Sequence, residues 1–167
     1  MQREHLDARA AEAPDEAGFT LIELMMVVLI IAILIAVLIP TFVGARSRAQ
    51  DRAVQSSVRN ALIAAKVIYS DHGDYTEATV TALESTEPAL DFVDATTPPS
   101  GSNGISVDPV SQTYFVAAGR SKSGACFLVR DDASVGGTGE RYARTTSGTC
   151  DAGSAPAAGD PSWKSTW

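Results

Sequence analysis

The fold of this 167-residue chain is decided by the stretch Gly18-Phe19-Thr20-Leu21-Ile22-Glu23-Leu24 and the apolar run that continues from it to Ile39. From Leu24 to Ile39 no side chain is polar. A helix of that composition is apolar on every face, so it belongs in lipid or inside an assembly rather than on a wetted surface. Residues 19–43 also have the length of a membrane-spanning helix, which takes about 20 apolar residues. The sequence therefore predicts a membrane-resident stage.

The residues before this run are interpreted as a disposable leader, because nothing in them can bury a core. Residues 1–17 carry two arginines against five acidic side chains. A secretory signal peptide is the main alternative. It has a basic region, a shorter apolar core and a small-x-small cleavage pattern, and this sequence matches none of these features.

Beyond Pro40 the pattern changes from uniformly apolar to amphipathic. One face carries apolar residues at helical spacing, namely Val54, Val58, Ala61, Ala65 and Ile68. Polar residues occupy the other faces, which predicts a helix over 44–74 that packs one side on a domain and stops near 71–74. Pro40 lacks a backbone N–H and crowds the carbonyl four residues earlier, so we expect a helix break or kink there. If residues 19–70 form one helix, it is about 78 Å long.

The remaining residues predict a small sheet. Residues 75–104 are rich in proline, glycine and polar side chains, which indicates a connecting region with a short helix near 78–84. Short β-prone runs follow at 105–107, 113–118, 126–130 and 142–145, separated by turn residues. An antiparallel sheet of three or four strands within residues 105–167 is expected, so the predicted fold class is α+β. Trp163 is expected to pack back on this sheet or else to contact a neighbouring subunit.

The two cysteines, Cys126 and Cys150, lie in this strand-rich region and have no Cys-x-x-Cys or Cys/His neighbours. They are too few for a zinc site. A pair that brackets a loop in an exported domain is typical of a disulfide, and closing a loop of about 25 residues contributes roughly 3 to 4 kcal/mol in the chain-entropy model. The pair therefore predicts a disulfide and an oxidising location outside the cytoplasm.

Neither the charge nor the polar side chains favour nucleic-acid binding or catalysis. The net charge is −7, from 13 basic and 20 acidic residues, whereas phosphate binding needs clustered basic residues. His72 between Asp71 and Asp74 invites a metal or acid–base role, but a helix-ending turn uses the same residue types. Asp131-Asp132 is a calcium candidate or a solvated turn. We favour the turn at both places and predict no catalytic residue, metal, other cofactor or specific nucleic acid.

This arrangement resembles that of the type IV prepilins, which share the stretch at 18–24, the apolar run, a proline such as Pro40, the amphipathic helix and a strand-rich region with a late cysteine pair. Residues 69–75, Tyr-Ser-Asp-His-Gly-Asp-Tyr, are similar to the stretch that commonly follows the helix in pilins and in type II secretion pseudopilins. The resemblance implies that a prepilin peptidase cuts between Gly18 and Phe19 and methylates the new amino group of Phe19. It also implies a ladle-shaped fold with a leader at 1–18, a membrane and filament-core helix at 19–43, its amphipathic half at 44–74, a connecting region at 75–104 and a disulfide-closed sheet region at 105–167.

Glu23 is a carboxylate within an apolar helix, and such a group is costly unless it has a partner. The sequence offers no evident partner nearby. One interpretation places Glu23 at the membrane interface, where it suits the positive end of the helix dipole. The resemblance implies another, in which Glu23 pairs with the freed α-amine of Phe19 in an adjacent subunit and sets the register of assembly.

By this resemblance the protein is a structural subunit, a pilin of a type IV pilus or related filament, and not an enzyme. It would be a single-pass precursor in the inner, or cytoplasmic, membrane and then part of an extracellular filament at the cell surface. Its partners would be the prepilin peptidase, other pilin subunits, the pilus or secretion assembly machinery and membrane lipids. The alternatives are a pseudopilin of a type II secretion or competence system, and a membrane-anchored extracytoplasmic binding module that does not polymerise.

The leader departs from the family pattern. Prepilin leaders are usually basic, whereas here the basic residues are denser after the helix, at Arg46, Arg48 and Arg52. Charge alone favours the orientation opposite to the one that the motif implies.

Overall fold

The longest element is a helix, α1, that runs from Leu21 to His72. The computed structural model describes residues 18–167 apart from the side chain of Pro40, so the predicted leader lies outside the described residues except for Gly18. Contacts between residues divide the chain into two units, one ending at Thr41 and the other comprising Phe42–Trp167, and α1 contributes to both.

The helix continues across residue 40, so the structure shows no interruption at Pro40. A proline removes one backbone hydrogen bond, and a helix that is already nucleated on both sides tolerates that loss. Next to it, the Thr41 hydroxyl donates to the Leu38 carbonyl at 2.8 Å. A kink at Pro40 stays a prediction.

Within the second unit, α1 buries the face that the sequence predicted. All five residues of that face, Val54, Val58, Ala61, Ala65 and Ile68, are buried. The helix ends at a glycine because Gly73 has a φ of 70°, and its N–H donates to the Tyr69 carbonyl at 2.7 Å. The predicted helix end at 71–74 is therefore confirmed.

The connecting region holds more regular structure than the sequence indicated. A single 3-10 turn, Tyr75–Glu77, is followed by the helix α2, Val80–Thr86, in which the Thr79 hydroxyl caps the first turn. The short helix expected near 78–84 is thus confirmed with a shift of two residues. A three-residue strand, β1, then spans Asp91–Val93.

The sheet has five strands in the order β1-β2-β3-β4-β5. The four longer strands are β2 at Gly104–Ser111, β3 at Tyr114–Arg120, β4 at Cys126–Asp132 and β5 at Arg141–Thr145, and they pair antiparallel. The β1 strand pairs parallel to β2, so the prediction of a purely antiparallel sheet of three or four strands was wrong. Ser106 of β2 fixes the segment after β1, because its buried hydroxyl donates to the Asp94 carbonyl at 2.8 Å.

Side chains alternate between the two faces of the sheet, and each face has its own core. Phe115 and Phe127 belong to the core that α1 covers. On the other face, Cys126 and Cys150 form a disulfide beside the buried Trp163. The predicted disulfide and the predicted packing of Trp163 on the sheet are both confirmed.

Candidate functional site at the start of helix α1

Gly18 and Phe19 lie just before α1 in backbone that is not helical. A Cβ added to Gly18 would meet no atom within 4 Å among the described residues. Packing against the described residues therefore does not require glycine at this position. The Phe19 side chain is 90% exposed.

Thr20 and Glu23 form a capping box at the helix start. The Thr20 N–H and hydroxyl both donate to Glu23 Oε2, at 2.9 and 2.7 Å, and the Glu23 N–H donates back to Thr20 Oγ1 at 3.3 Å. Two backbone donors of the first turn are thereby satisfied reciprocally. The expectation that Glu23 has no partner nearby in the sequence was wrong, because its partner lies three residues before it.

The capping box leaves one oxygen of Glu23 available. Both bonds from Thr20 reach Oε2, and Oε1 accepts no hydrogen bond within the described residues. An ionised carboxylate has about four acceptor sites. Glu23 can therefore hold Thr20 and accept a further cationic donor at the same time.

The apolar part of α1 is exposed along its whole length. The large side chains from Leu24 to Ile39 are each exposed by 47% or more, and no residue of this stretch is buried. Soluble monomers rarely expose so large a continuous apolar surface. By length and composition, this is the one described helix that could cross a membrane.

The other chemically suggestive residues belong to the second unit and build structure. Asp74 caps the 3-10 turn, because its carboxylate accepts the Thr76 N–H and hydroxyl, both at 2.7 Å, and these bonds lower the pKa of Asp74. His72 is exposed at the end of α1. Among residues 18–167, no three His, Cys, Asp or Glu side chains are placed to hold a metal ion.

The prediction that Asp131 lies in a solvated turn was wrong, because this residue is buried. It is 7% exposed, accepts the Tyr75 hydroxyl at 2.7 Å and forms an ion pair with Lys66 at 3.2 Å. Burial and this hydrogen bond raise the pKa of Tyr75. Burial alone lowers the pKa of Lys66, but its bonds to Glu140 and Asp131 outweigh that effect and raise it. The network ties α1 to the end of β4.

Asp132, the neighbouring carboxylate, does form a turn. Its side chain accepts the Ser134 N–H at 3.2 Å and the Ser134 hydroxyl, and these bonds lower the pKa of Asp132. The turn interpretation of residues 131–132 therefore holds for only one of the two carboxylates.

Comparison with known families supports the interpretation of the helix start. The model of the prokaryotic N-terminal methylation motif matches residues 14–39, which include Gly18, Phe19, Glu23 and most of the exposed apolar surface. No curated protein and no solved structure matched the chain. The match covers residues just before α1 and the apolar part of the helix, and it does not extend into the second unit. At residues 14–39 the chain carries the signature of the type IV prepilins.

Proposed function

We propose that the protein is a structural subunit of a type IV pilus or related filament. The observation that carries this proposal is the position of the methylation motif, which leads directly into an apolar helix that the described chain leaves wholly exposed. Such a surface needs a cover, and a bilayer before assembly and the helices of neighbouring subunits after it both supply one. The protein would pass from the cytoplasmic membrane to an extracellular filament.

Processing would begin at the Gly18–Phe19 bond. A prepilin peptidase would cut this bond, which lies in non-helical backbone, and would methylate the freed amine of Phe19. Cleavage creates a cation four residues before Glu23. Glu23 Oε1 would accept a charge-assisted hydrogen bond from the Phe19 ammonium group of a neighbouring subunit, and this pairing would fix the axial register of the helices.

The C-terminal region bears on the choice between a pilin and a pseudopilin. The Cys126–Cys150 disulfide favours a pilin, since the pilins that this chain resembles close their C-terminal region with a disulfide. A pseudopilin of a secretion or competence system is the alternative within the same filament class.

Mass spectrometry of the N-terminus of the protein from membranes tests the proposal. The expected product begins at Phe19 and carries one methyl group. Cells are then sheared, and the filaments are probed for the same product. A different N-terminus would refute the processing step, and a correctly cleaved chain that stays in the membrane and is absent from every filament fraction would refute the structural role.

A further inference from the structure

Six exposed basic side chains cluster where the second unit begins. One cleft is lined by Arg46 and Lys122, and a second by Arg48, Arg52 and Arg144. A third cleft is lined by Arg120 together with Lys122. None of the six forms an ion pair within the described residues. We call these six residues the basic end.

One acid, Asp51, lies on the same stretch of α1 and lines the same cleft as Arg48, Arg52 and Arg144, so its single negative charge offsets only one of the six positive charges of the basic end. Asp51 is half-buried, and its carboxylate accepts the Ser121 hydroxyl at 2.6 Å and the Ser123 hydroxyl as well. Both of these hydroxyl donors belong to the turn between β3 and β4, so the Asp51 carboxylate faces that turn. The guanidinium of Arg144 lies 5.7 Å from the centre of the Phe127 ring, which leaves its N–H donors available for an outside acceptor.

The opposite end of the second unit is acidic. Asp71, in the last turn of α1, and Glu77, in the 3-10 turn, are exposed, and Asp74 between them is half-buried. Lys66, the nearest lysine or arginine before them on α1, is already paired with Asp131 and Glu140. We call Asp71, Asp74 and Glu77 the acidic end. Positions 48 and 71 are separated by about 35 Å of helix at 1.5 Å per residue.

We propose that the basic end of one copy of this chain docks on the acidic end of a second copy. This inference rests on the proposed function and names a contact that the filament would use. The two surfaces differ and lie at opposite ends of one unit, so the contact is heterologous and repeats along an open filament instead of closing a ring. Opposite charges steer the copies into the same orientation, and two like ends repel each other.

Anionic lipid headgroups are the other chemistry that would suit these arginines. The second copy is favoured because the chain itself supplies an acidic surface at the far end of the same unit. In addition, Arg120, Lys122 and Arg144 are carried by the sheet and its loops, which extends the basic end beyond the helix segment that follows the apolar run.

Charge reversal in the full-length chain tests the proposal in cells that assemble filaments. The basic-end variant is Arg48→Glu with Arg52→Glu, and the acidic-end variant is Asp71→Lys with Glu77→Lys. A third chain carries all four substitutions. Glu84→Lys, on the exposed face of α2, is the matched control because it changes charge outside both ends. Sheared filament is measured relative to cleaved subunit in the membrane.

We expect each double variant to lower this ratio by about tenfold, the four-substitution chain to recover most of it, and the control to match the wild type. Formation of the Cys126–Cys150 disulfide in each variant checks that the second unit has folded. An unchanged ratio, or a loss that the combined chain does not recover, would overturn the contact.

Loss of cleaved subunit from the membrane in the basic-end variant, with no recovery in the combined chain, would assign the arginines to lipid instead. If the wild-type chain forms no filament, the proposed function itself fails. If wild-type filaments form and the variants match them, only the contact fails.

Discussion

The capping box at the start of α1 makes it possible to separate two roles of Glu23 by substitution. Glu23 caps the helix through Thr20 in the chain as described, and we propose that it also binds the amine of a neighbouring subunit. Thr20→Ala removes the capping hydroxyl and keeps the carboxylate. Glu23→Gln keeps an oxygen that accepts the Thr20 N–H and removes the charge. The two variants therefore disable different functions of the same turn.

The expected size of each effect follows from these contacts. Replacing an N-cap threonine by alanine costs about 1 kcal/mol, or about fivefold in the stability of the first turn. In Thr20→Ala the backbone N–H of residue 20 keeps its 2.9 Å hydrogen bond to Glu23, so part of the cap remains. We therefore expect this variant to lower filament yield by less than about fivefold. Loss of one member of a desolvated charge pair is far more severe, so Glu23→Gln should lower filament yield by more than about tenfold.

The assay compares sheared filament with cleaved subunit in the membrane for the wild type, Thr20→Ala, Glu23→Gln and Glu23→Ala. Cleavage after Gly18 is followed by mass spectrometry, and we expect it to stay largely intact in all four chains. If Glu23→Gln assembles like the wild type, the charge pairing is refuted. If Thr20→Ala is as defective as Glu23→Gln, capping alone accounts for Glu23.

Three further predictions concern the second unit and are tested by unfolding the purified full-length chain in detergent. Gly119→Ala should lower the free energy of unfolding by about 1–3 kcal/mol, because the new Cβ would lie 2.7 and 2.8 Å from two buried valines of α1, whereas Gly159→Ala, in open space, should be near neutral. Tyr75→Phe should cost about 1–3 kcal/mol by leaving a buried carboxylate without its hydroxyl donor, and Tyr69→Phe, whose ring stacks on Tyr75 and whose hydroxyl has no described partner, is the matched control. The pKa of Lys66 in the folded chain is raised above its ordinary value of 10.5, so the stability that Lys66 contributes should be complete below pH 10.5 and lost as the pH rises through the folded pKa. The free energy of unfolding of the wild type should therefore fall more steeply at alkaline pH than that of Lys66→Met, and equal slopes would contradict this.

The helical part of the fold could be predicted because its signals are local. The apolar run and the five-residue buried face of α1 each repeat with the helical period, and the glycine at position 73 marks the helix end. The β1 strand carries no comparable signal. It has only three residues. Its parallel pairing with β2 depends on the loop that connects the two strands and on the hydrogen bond from the Ser106 hydroxyl to the Asp94 carbonyl, and no local sequence pattern encodes either.

The candidate site was predictable to a different degree at each residue. Gly18, Phe19 and Glu23 are recognisable from one motif, and the Thr20 cap was readable from the Thr-x-x-Glu spacing of the capping box. Asp131 was not, because its burial depends on Tyr75, which is 56 residues away in the sequence. A pair of adjacent aspartates looks like a surface turn until the fold brings a tyrosine and a lysine to one of them.

The capping box also bears on how Glu23 tolerates an apolar environment before any neighbour is present. An uncompensated carboxylate would oppose membrane insertion, but here the Thr20 N–H and hydroxyl already compensate Oε2 at a helix end whose dipole favours negative charge. Oε1 accepts no hydrogen bond from Thr20 and would still be stabilised by a cation. The cap that helps the monomer insert therefore leaves Glu23 able to attract a neighbouring subunit. Cleavage after Gly18 would supply that cation only once the leader has gone. On this reasoning the same turn stabilises the waiting subunit and makes its assembly depend on processing.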